Sequence, residues 1–547
     1  MLVPLVLAAA SIAVATPLSS NAIVVSENVP TDAGPSVLQP FVSFSIEFAF
    51  FPDYAGNKSH PNVFSKNLLD NLGNLQGAQP IIRVGGNTQY AHRRTKAIIT
   101  FTLIHDINQR TRDYALYNQS LKTATNGTII PSKSTDYPTM LYIGPSYFES
   151  YSTWPGTKFT HGFNLGKNGS EGLDTLRATV PLACKALQGG KLAYWELGNE
   201  PDLYKTSAQG PVRPSNWTEK DYVNEWLTKT ELIKKELEKS CPDMADNATY
   251  QYIAPSFAGV SNSLNPVTTW RDGLNTDHDI ALNSEHNYIG GATQPGVTLQ
   301  HTLMNHTSTV KSVAQHVNVS RILSSDHLTP NIPYILGETN SLYNEGAPGL
   351  SNAFGAALWG IDFNLYCASQ GIRRTHMHQG LDYRYDSWQP IQTNKTTIGT
   401  KPPYYGNVFV AEMVHGGDDV QIVNLPLKEE TEAAYAAYVK DKLERIAVVN
   451  LVEYNYTEAD PTAERPSATY TFQVPSTKDT LSVQRLSANG SNAITGVTWD
   501  GWSYNYELDQ GKPVRLHNVT VGETVPVQKG GIVEIEVPYS SAVILNL

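Results

Sequence analysis

The stretch KLAYWELGNEPD, residues 191–202, decides the fold. Its apolar start (Leu192, Ala193, Tyr194, Trp195) reads as a short buried strand, which Gly198-Asn199-Glu200-Pro201 brings to an end. Proline has no amide hydrogen to give a strand ladder, so the strand stops there and leaves Asn199 and Glu200 at its carboxyl end. That is where α/β barrels place their chemistry. Alone, an Asn-Glu-Pro turn is more often the cap of a core strand than a site. A second stretch reverses the odds. In PYILGETN, residues 333–340, the apolar Tyr334-Ile335-Leu336 run delivers Glu338 in the same manner. Two glutamates at the ends of separated strands are what glycoside hydrolysis requires, one as acid and one as nucleophile, about 5–5.5 Å apart when configuration is retained.

Around these two strands the pattern alternates. Strands are predicted at 41–50, 80–88, 159–165, 192–202, 252–255, 281–288, 334–338 and 373–379. Helices are predicted at 63–75, 173–187, 218–240, 299–317, 351–369 and 405–415. Eight strand-helix repeats between 41 and 417 define a (β/α)8 TIM barrel. Residues 88–157 are irregular and polar, a long insertion of the kind that folds over one face and shapes a site. Past residue 418 the texture changes to short alternating strands broken by Pro, Gly, Asn and Ser, with one short helix expected near Glu429. This is an antiparallel β-sandwich, to which an early strand at 21–27 could add. The expected division is therefore 1–15 leader, 16–40 N-terminal segment, 41–417 barrel and 418–547 sandwich.

The chain has 547 residues and a mass of 60.0 kDa, more than one ordinary domain, with 40% hydrophobic and 17% charged residues. Its formal net charge is -11 and no basic block stands out, which argues against nucleic acid and heavily sulfated polyanions as partners. The first fifteen residues are apolar and end in Ala13-Val14-Ala15, a secretory leader with a small-residue cleavage site. Polar residues follow too soon for a membrane span, and none is expected elsewhere. Asn-x-Ser/Thr sequons at Asn57, Asn118, Asn126, Asn168, Asn216, Asn247, Asn305, Asn318, Asn394, Asn455, Asn489 and Asn518 fit a glycosylated, secreted, extracellular protein. Of the three cysteines, Cys184 and Cys241 fall near the ends of successive predicted helices and are expected to pair. Cys367 is expected as a buried thiol. His286, His376 and His378 lack ligand-type spacing, so neither a metal nor a cofactor is expected.

The motifs SIEF at strand one, RVGGNTQ at strand two, WELGNEPD and ILGETNSLYNEG together resemble glycoside hydrolase family 79. That family holds β-glucuronidases and heparanases and has the same barrel-plus-sandwich layout. The resemblance implies Glu200 as acid/base and Glu338 as nucleophile. It implies Asn199 as partner of the sugar 2-hydroxyl, Glu47 as holder of a distal hydroxyl, and Tyr343 with the Glu345-Gly346 backbone as readers of a uronate carboxylate. In the family a glycine is usual where Glu345 stands. Tyr288 would orient Glu338, Gln379 would line the sugar site, and Asn87 is a further candidate. The implied activity is retaining, exo-acting hydrolysis of terminal β-linked glucuronic acid, 4-O-methylated or not, from glycans or proteoglycan side chains by a monomeric enzyme. The alternatives are an endo-β-glucuronidase of heparanase type and a non-catalytic carbohydrate-binding protein on the same scaffold.

Overall fold

The computed structural model describes residues 22–90, 115–207, 210–460, 463–475 and 477–547. The leader, the first residue of the proposed early strand and part of the insertion lie outside these.

Eight parallel strands close a barrel: β1 (Val42–Glu47), β2 (Ile82–Gly85), β3 (Phe159–Phe163), β4 (Leu192–Leu197), β5 (Tyr252–Phe257), β6 (Ile280–Gly291), β7 (Tyr334–Tyr343) and β8 (Thr375–Gln379). Each strand pairs with the next in sequence, and β8 returns to β1 through Thr375 opposite Val42 and Gln379 opposite Ile46. Among the described residues, seven of the eight repeats carry an α-helix. The second shows none there: the insertion builds a small sheet from Leu116–Tyr117, Met140–Ile143 and Thr125–Thr128, then a 3-10 stretch, Pro145–Ser152, leading into β3. The predicted helix at 299–317 is also divided. A π-helical turn, Leu299–Leu303, precedes the α-helix His306–Ser325, because the Asn305 side chain accepts from the Ser308 amide at 2.9 Å and restarts the helix. That cap leaves the Asn305 side chain buried, which takes this sequon away from the surface. The asparagines of the other eleven sequons are exposed.

The remainder is a two-sheet sandwich. One sheet includes Val420–Asn424, Glu432–Val439, Lys442–Asn450, Ser541–Asn546 and Thr480–Ser487. The other holds Ser467–Gln473 and Ile532–Pro538. The early strand is only Ile23–Val24, and it joins the smaller sheet parallel to Phe472 and Gln473 rather than antiparallel. The segment near Glu429 is a turn; a one-turn helix lies at Tyr506–Asp509 instead. Strand Glu432–Val439 is apolar on both faces for a physical reason. Side chains alternate along a strand, so Ala433, Tyr435 and Ala437 pack into the barrel's core while Ala434, Ala436 and Tyr438 pack into the sandwich's own. Helix Phe354–Ser369, buried from Phe354 to Ala368, fills the gap between the domains and therefore shows no polar face. Tyr435 donates to Asp362 of that helix at 2.6 Å. Among the described residues no helix is long and apolar enough to cross a membrane.

Cys184, in helix Gly169–Leu187, is joined to Cys241, the cap of helix Glu219–Ser240, with their Cα atoms 6.2 Å apart. Cys367 is free and buried. The disulfide closes a loop of 57 residues. Replacing both cysteines with serine is expected to lower stability by about 4 kcal/mol in the chain-entropy model, read as a shift of the urea midpoint.

Candidate active site

At the carboxyl ends of the strands lies a cavity of about 520 Å³ lined by Glu47, Asn87, Glu200, Glu338, Tyr343 and Glu345, among others. β4 stops at Leu197, and Glu200 then adopts left-handed backbone angles, φ 50° and ψ 48°. Such a conformation in a non-glycine residue costs on the order of 1–3 kcal/mol and persists where the surroundings fix it. Here the Glu200 amide donates to the Ser256 carbonyl at 2.9 Å, while the Ser256 hydroxyl donates to Glu196 at 2.6 Å. The strain turns the Glu200 carboxyl inward. One atom each of Glu200, Glu338 and His286 lie within 4.8 Å of one another. That separation suits two carboxylates acting on one anomeric carbon.

The two carboxyls differ sharply in environment. Glu338 accepts from Arg83 Nη1 at 2.6 Å and from the Tyr288 hydroxyl at 2.8 Å, and His378 Nδ1 lies 3.6 Å away. Burial opposes its ionisation, but His378, Arg83 and Tyr288 hold it well below the usual carboxylate range. Burial drives His286 neutral, down to about 4, so the fixed positive charge beside Glu338 is Arg83, while Glu338 and Glu47 raise His378 against its burial. Glu200 has no such cation in contact among the described residues. Its nearest partner is His286 Nδ1 at 3.1 Å, and burial followed by the Glu338 charge pushes it up to about 8. One carboxyl is thus protonated at neutral pH and its neighbour ionised.

Arg83 organises this floor. It is fully buried in β2, gripping Glu196 with two bonds of 2.9 and 3.0 Å, Glu338 with one and Asn199 Oδ1 at 2.6 Å. Glu47, at the end of β1, accepts from the Thr88 amide at 2.8 Å and its hydroxyl at 2.6 Å, with His378 Nε2 at 3.5 Å and the Tyr383 hydroxyl at 3.4 Å. Gly86 makes room for it: a Cβ there would stand 2.7 Å from Glu47 Oε1.

Of the residues expected at the site, Glu47, Asn87, Glu200, Tyr288, Glu338, Tyr343 and Glu345 line the cavity. Asn199 sits just behind, fully buried, with its amide nitrogen 3.5 Å from Asn87 Oδ1. Gly346 does not line it. Its amide is committed to the Leu342 carbonyl at 3.1 Å, so it cannot donate to a ligand. Its glycine character is structural, because φ is +76° and a Cβ would meet the Tyr385 amide at 2.9 Å. The amides of Asn344 and Glu345 have no acceptor among the described residues. Gln379 is also displaced from the expected role. Fully buried, it donates to the His378 carbonyl at 2.7 Å and accepts from the Ser387 amide at 2.7 Å, pinning the loop after β8. Sequence reading weighed His286 and His378 only as metal ligands, and passed over Arg83, Glu196 and the tyrosines Tyr137, Tyr383 and Tyr385. The last three form one aromatic cluster against Tyr288.

A (β/α)8 barrel with a buried acid just past β4 beside a buried carboxylate within β7, which runs on to Tyr343 rather than stopping at the expected Glu338, defines a glycoside hydrolase of the two-carboxylate type. A family model described as the glycosyl hydrolase family 79 C-terminal beta domain matches residues 434–544. A β-glucuronidase of Aspergillus niger is 69% identical over 97% of this chain and 94% of its own. One of Neurospora crassa is 52% identical over 92% of this chain and 91% of its own. The chain belongs to glycoside hydrolase family 79. In fold it is similar to a 4-O-α-L-rhamnosyl-β-D-glucuronidase from Fusarium oxysporum (TM-score 0.73, 24% identity, 96% of this chain and 99% of that one). It is more distantly similar to a family 51 α-L-arabinofuranosidase from Bifidobacterium longum (TM-score 0.57, 13% identity, 94% and 98%).

The opposed protonation states set a pH dependence. The acid must hold its proton, so kcat/KM is expected to fall as pH rises through about 8, where Glu200 titrates. Glu345, pushed up to about 7 by burial and then by Asp136, titrates before it. The acid limb, set by Glu338, should lie below the ordinary glutamate value of 4.5. A pH–rate profile on an aryl glycoside would check both limbs.

Proposed function

We propose that this protein is a secreted, retaining, exo-acting β-glucuronidase that releases terminal β-linked glucuronic acid from glycans. The observation that carries the reaction type is the pairing of Glu200 and Glu338 within 4.8 Å in opposite protonation states. Glu338 attacks the anomeric carbon while Glu200 gives its proton to the leaving oxygen. The glycosyl-enzyme is then opened by a water that Glu200, now ionised, deprotonates. On this reading the 2-hydroxyl is assigned to Asn199, behind the cavity with its amide nitrogen 3.5 Å from Asn87 Oδ1, and a distal hydroxyl to Glu47, which lines the cavity. The β-glucuronidases of Aspergillus niger and Neurospora crassa, similar over nine-tenths of the chain, support the glucuronide.

Exo action is supported by ties among the loops that carry Tyr137, Tyr383 and Glu345, all of which line the cavity. Arg384, on the loop after β8, binds Asp136 of the insertion at 2.9 Å and the Gly346 carbonyl at 3.1 Å. Lys395 reaches the Thr135 carbonyl at 2.9 Å. These ties draw three loops into a wall behind Tyr137, Tyr383 and Glu345. A chain continuing past the uronate would meet that wall. Secretion is supported by the eleven sequons whose asparagines are exposed and by the apolar leader.

The substrate assignment is tested by Tyr343→Phe. Tyr343 is half-exposed at the end of β7, its ring lying over Gly291, and it lines the cavity where a C5 carboxylate would lie on this reading. With Gly346 committed, Tyr343 and the Asn344 and Glu345 amides are the neutral donors left in this loop. The variant is expected to lose roughly 2 kcal/mol of transition-state binding on a β-glucuronide, the scale of a hydrogen bond to a charged group. The matching β-glucoside should hardly change. Equal losses on both would make Tyr343 structural, and a wild-type preference for glucoside over glucuronide would overturn the substrate class.

A further inference from the structure

The loop after β7 brings an acid to the place where the proposed function puts another acid. Asn344 and Glu345 both have left-handed backbone angles, φ 61° and 59°. Arg384 fixes them: its amide donates to the Glu345 carbonyl at 2.7 Å and its Nε to the Gly346 carbonyl at 3.1 Å. The Glu345 side chain is thereby held in the lining of the cavity, 15% exposed, on the same loop as Tyr343. Glu47 and His378 act on it across the cavity, and Tyr137, Tyr383 and Tyr385 line the same region.

The cations near Glu345 are engaged elsewhere. Arg384 Nη1 and Nη2 bond the two oxygens of Asp136 at 2.9 and 3.4 Å, and Lys395 Nζ stands 3.6 Å from that same carboxylate. Glu345 is left with an approach of 3.8 Å from Arg384 Nη2. Among the described residues no group donates a hydrogen bond to its carboxyl, which is costly for a mostly buried anion. A neutral carboxylic acid avoids that cost and offers a donor of its own. Burial, followed by the Asp136 charge, favours this form and pushes Glu345 up to about 7.

We infer that the Glu345 side chain meets the uronate carboxylate as a neutral acid, so that recognition of the charged sugar takes up one proton from solvent. The inference rests on the glucuronide reading above and adds how the second negative charge is tolerated. Two carboxyl groups in contact do not both stay ionised; they share one proton. Protonated, Glu345 gives the uronate a hydrogen bond. Ionised, it repels it. A charged sugar is therefore held more tightly in acid than in alkali, whereas an uncharged analogue gains nothing from the proton.

The test compares glucuronate with its neutral amide, glucuronamide, as inhibitors of 4-nitrophenyl β-glucuronide hydrolysis across the neutral range. For wild type the inhibition constant of glucuronate, divided by that of the amide, should be level below about 7 and rise above it, approaching tenfold per pH unit. Glu345→Gln keeps a donor and carries no charge at any pH, so its ratio should stay level. Calorimetry of glucuronate binding just above neutral pH, in buffers of different ionisation heat, should show proton uptake in wild type that the variant lacks. A level ratio in wild type would overturn the inference, and that measurement needs no variant to fold. A rise that survives in Glu345→Gln would overturn it as well and assign the proton to His378. Failure of wild type to hydrolyse the glucuronide would overturn the substrate reading and this inference with it. Ready hydrolysis with a level ratio would overturn the inference alone.

Discussion

Glu338→Gln is expected to abolish turnover, lowering kcat by about 10^4-fold or more, because the amide is neutral and cannot form the glycosyl-enzyme. The companion Glu200→Gln separates the two roles. On a glycan leaving group it should lose about 10²–10⁴-fold, the range of general acid catalysis. On 4-nitrophenyl glucuronide, whose leaving group departs without a proton, the first step should survive and the second stall. A burst of nitrophenol followed by a slow steady state would show this, and added azide should speed the steady state by attacking the intermediate without base help. Proton NMR of the first-formed wild-type product should show the β-anomer. An α-anomer appearing first would sink Glu338 as nucleophile, and Glu338→Gln with ordinary activity would sink the site altogether.

Arg83→Met should have the largest effect on the folded state. The guanidinium is fully buried and bonded to two carboxylates, Glu196 and Glu338. Removing one side of a buried ionic network typically costs about 3–5 kcal/mol, because the remaining charges are stranded away from water. Urea unfolding at neutral pH measures it. The sign against pH follows from Glu338, whose folded value lies below its ordinary 4.5. A depressed carboxylate contributes stability that is present above the unfolded value and lost as pH falls through the folded one. Arg83 supplies part of that depression, so the gap between wild type and variant should be widest at neutral pH and narrow in acid. Arg83→Lys cannot reproduce the paired bonds to Glu196 and should recover only part of the loss. A variant within about 1 kcal/mol of wild type would mean the network relaxes around its absence.

The barrel was legible because its apolar strand runs meet residues that strands disfavour: GNEP after β4, GET midway along β7, which runs on to Tyr343, and the paired glycines at the end of β2. Glu200 and Glu338 came with those residues, and so did Glu47, a lone acid in an apolar strand. What escaped was whatever depends on register. Parallel barrel strands are buried on both faces, so the sequence of β8, THMHQ, does not say whether His378 or Gln379 points at the sugar. Gln379 was the expected residue, and His378 is the one that lines the cavity. Arg83 and Glu196 did carry a signal, since a charge inside an otherwise apolar strand needs a buried partner. Naming the partner required knowing that β2 and β4 flank β3, which brings residues 113 apart into contact. Gly346 was read as a donor from its place in the loop, and only the backbone path shows its amide already taken. Residues 115–157 have no periodicity to read, although Tyr137 within them lines the cavity and Asp136 ties its loop to Arg384.

The pairing of Ile23 and Val24 with Phe472 and Gln473 has a consequence for how the chain is made. The two partners are separated by about 450 residues, so during synthesis the early strand waits for almost the whole polypeptide before it finds its neighbour. At about 5–20 residues per second that delay is roughly 20 to 90 s. The barrel waits too, since β1 meets β8 only once Thr375–Gln379 has emerged. A ribosome-bound fragment ending anywhere before residue 467 thus holds an unpartnered strand at its start, and one ending before residue 375 holds an open barrel. Truncation from the carboxyl end would leave these edges exposed to other chains rather than yield a smaller working enzyme.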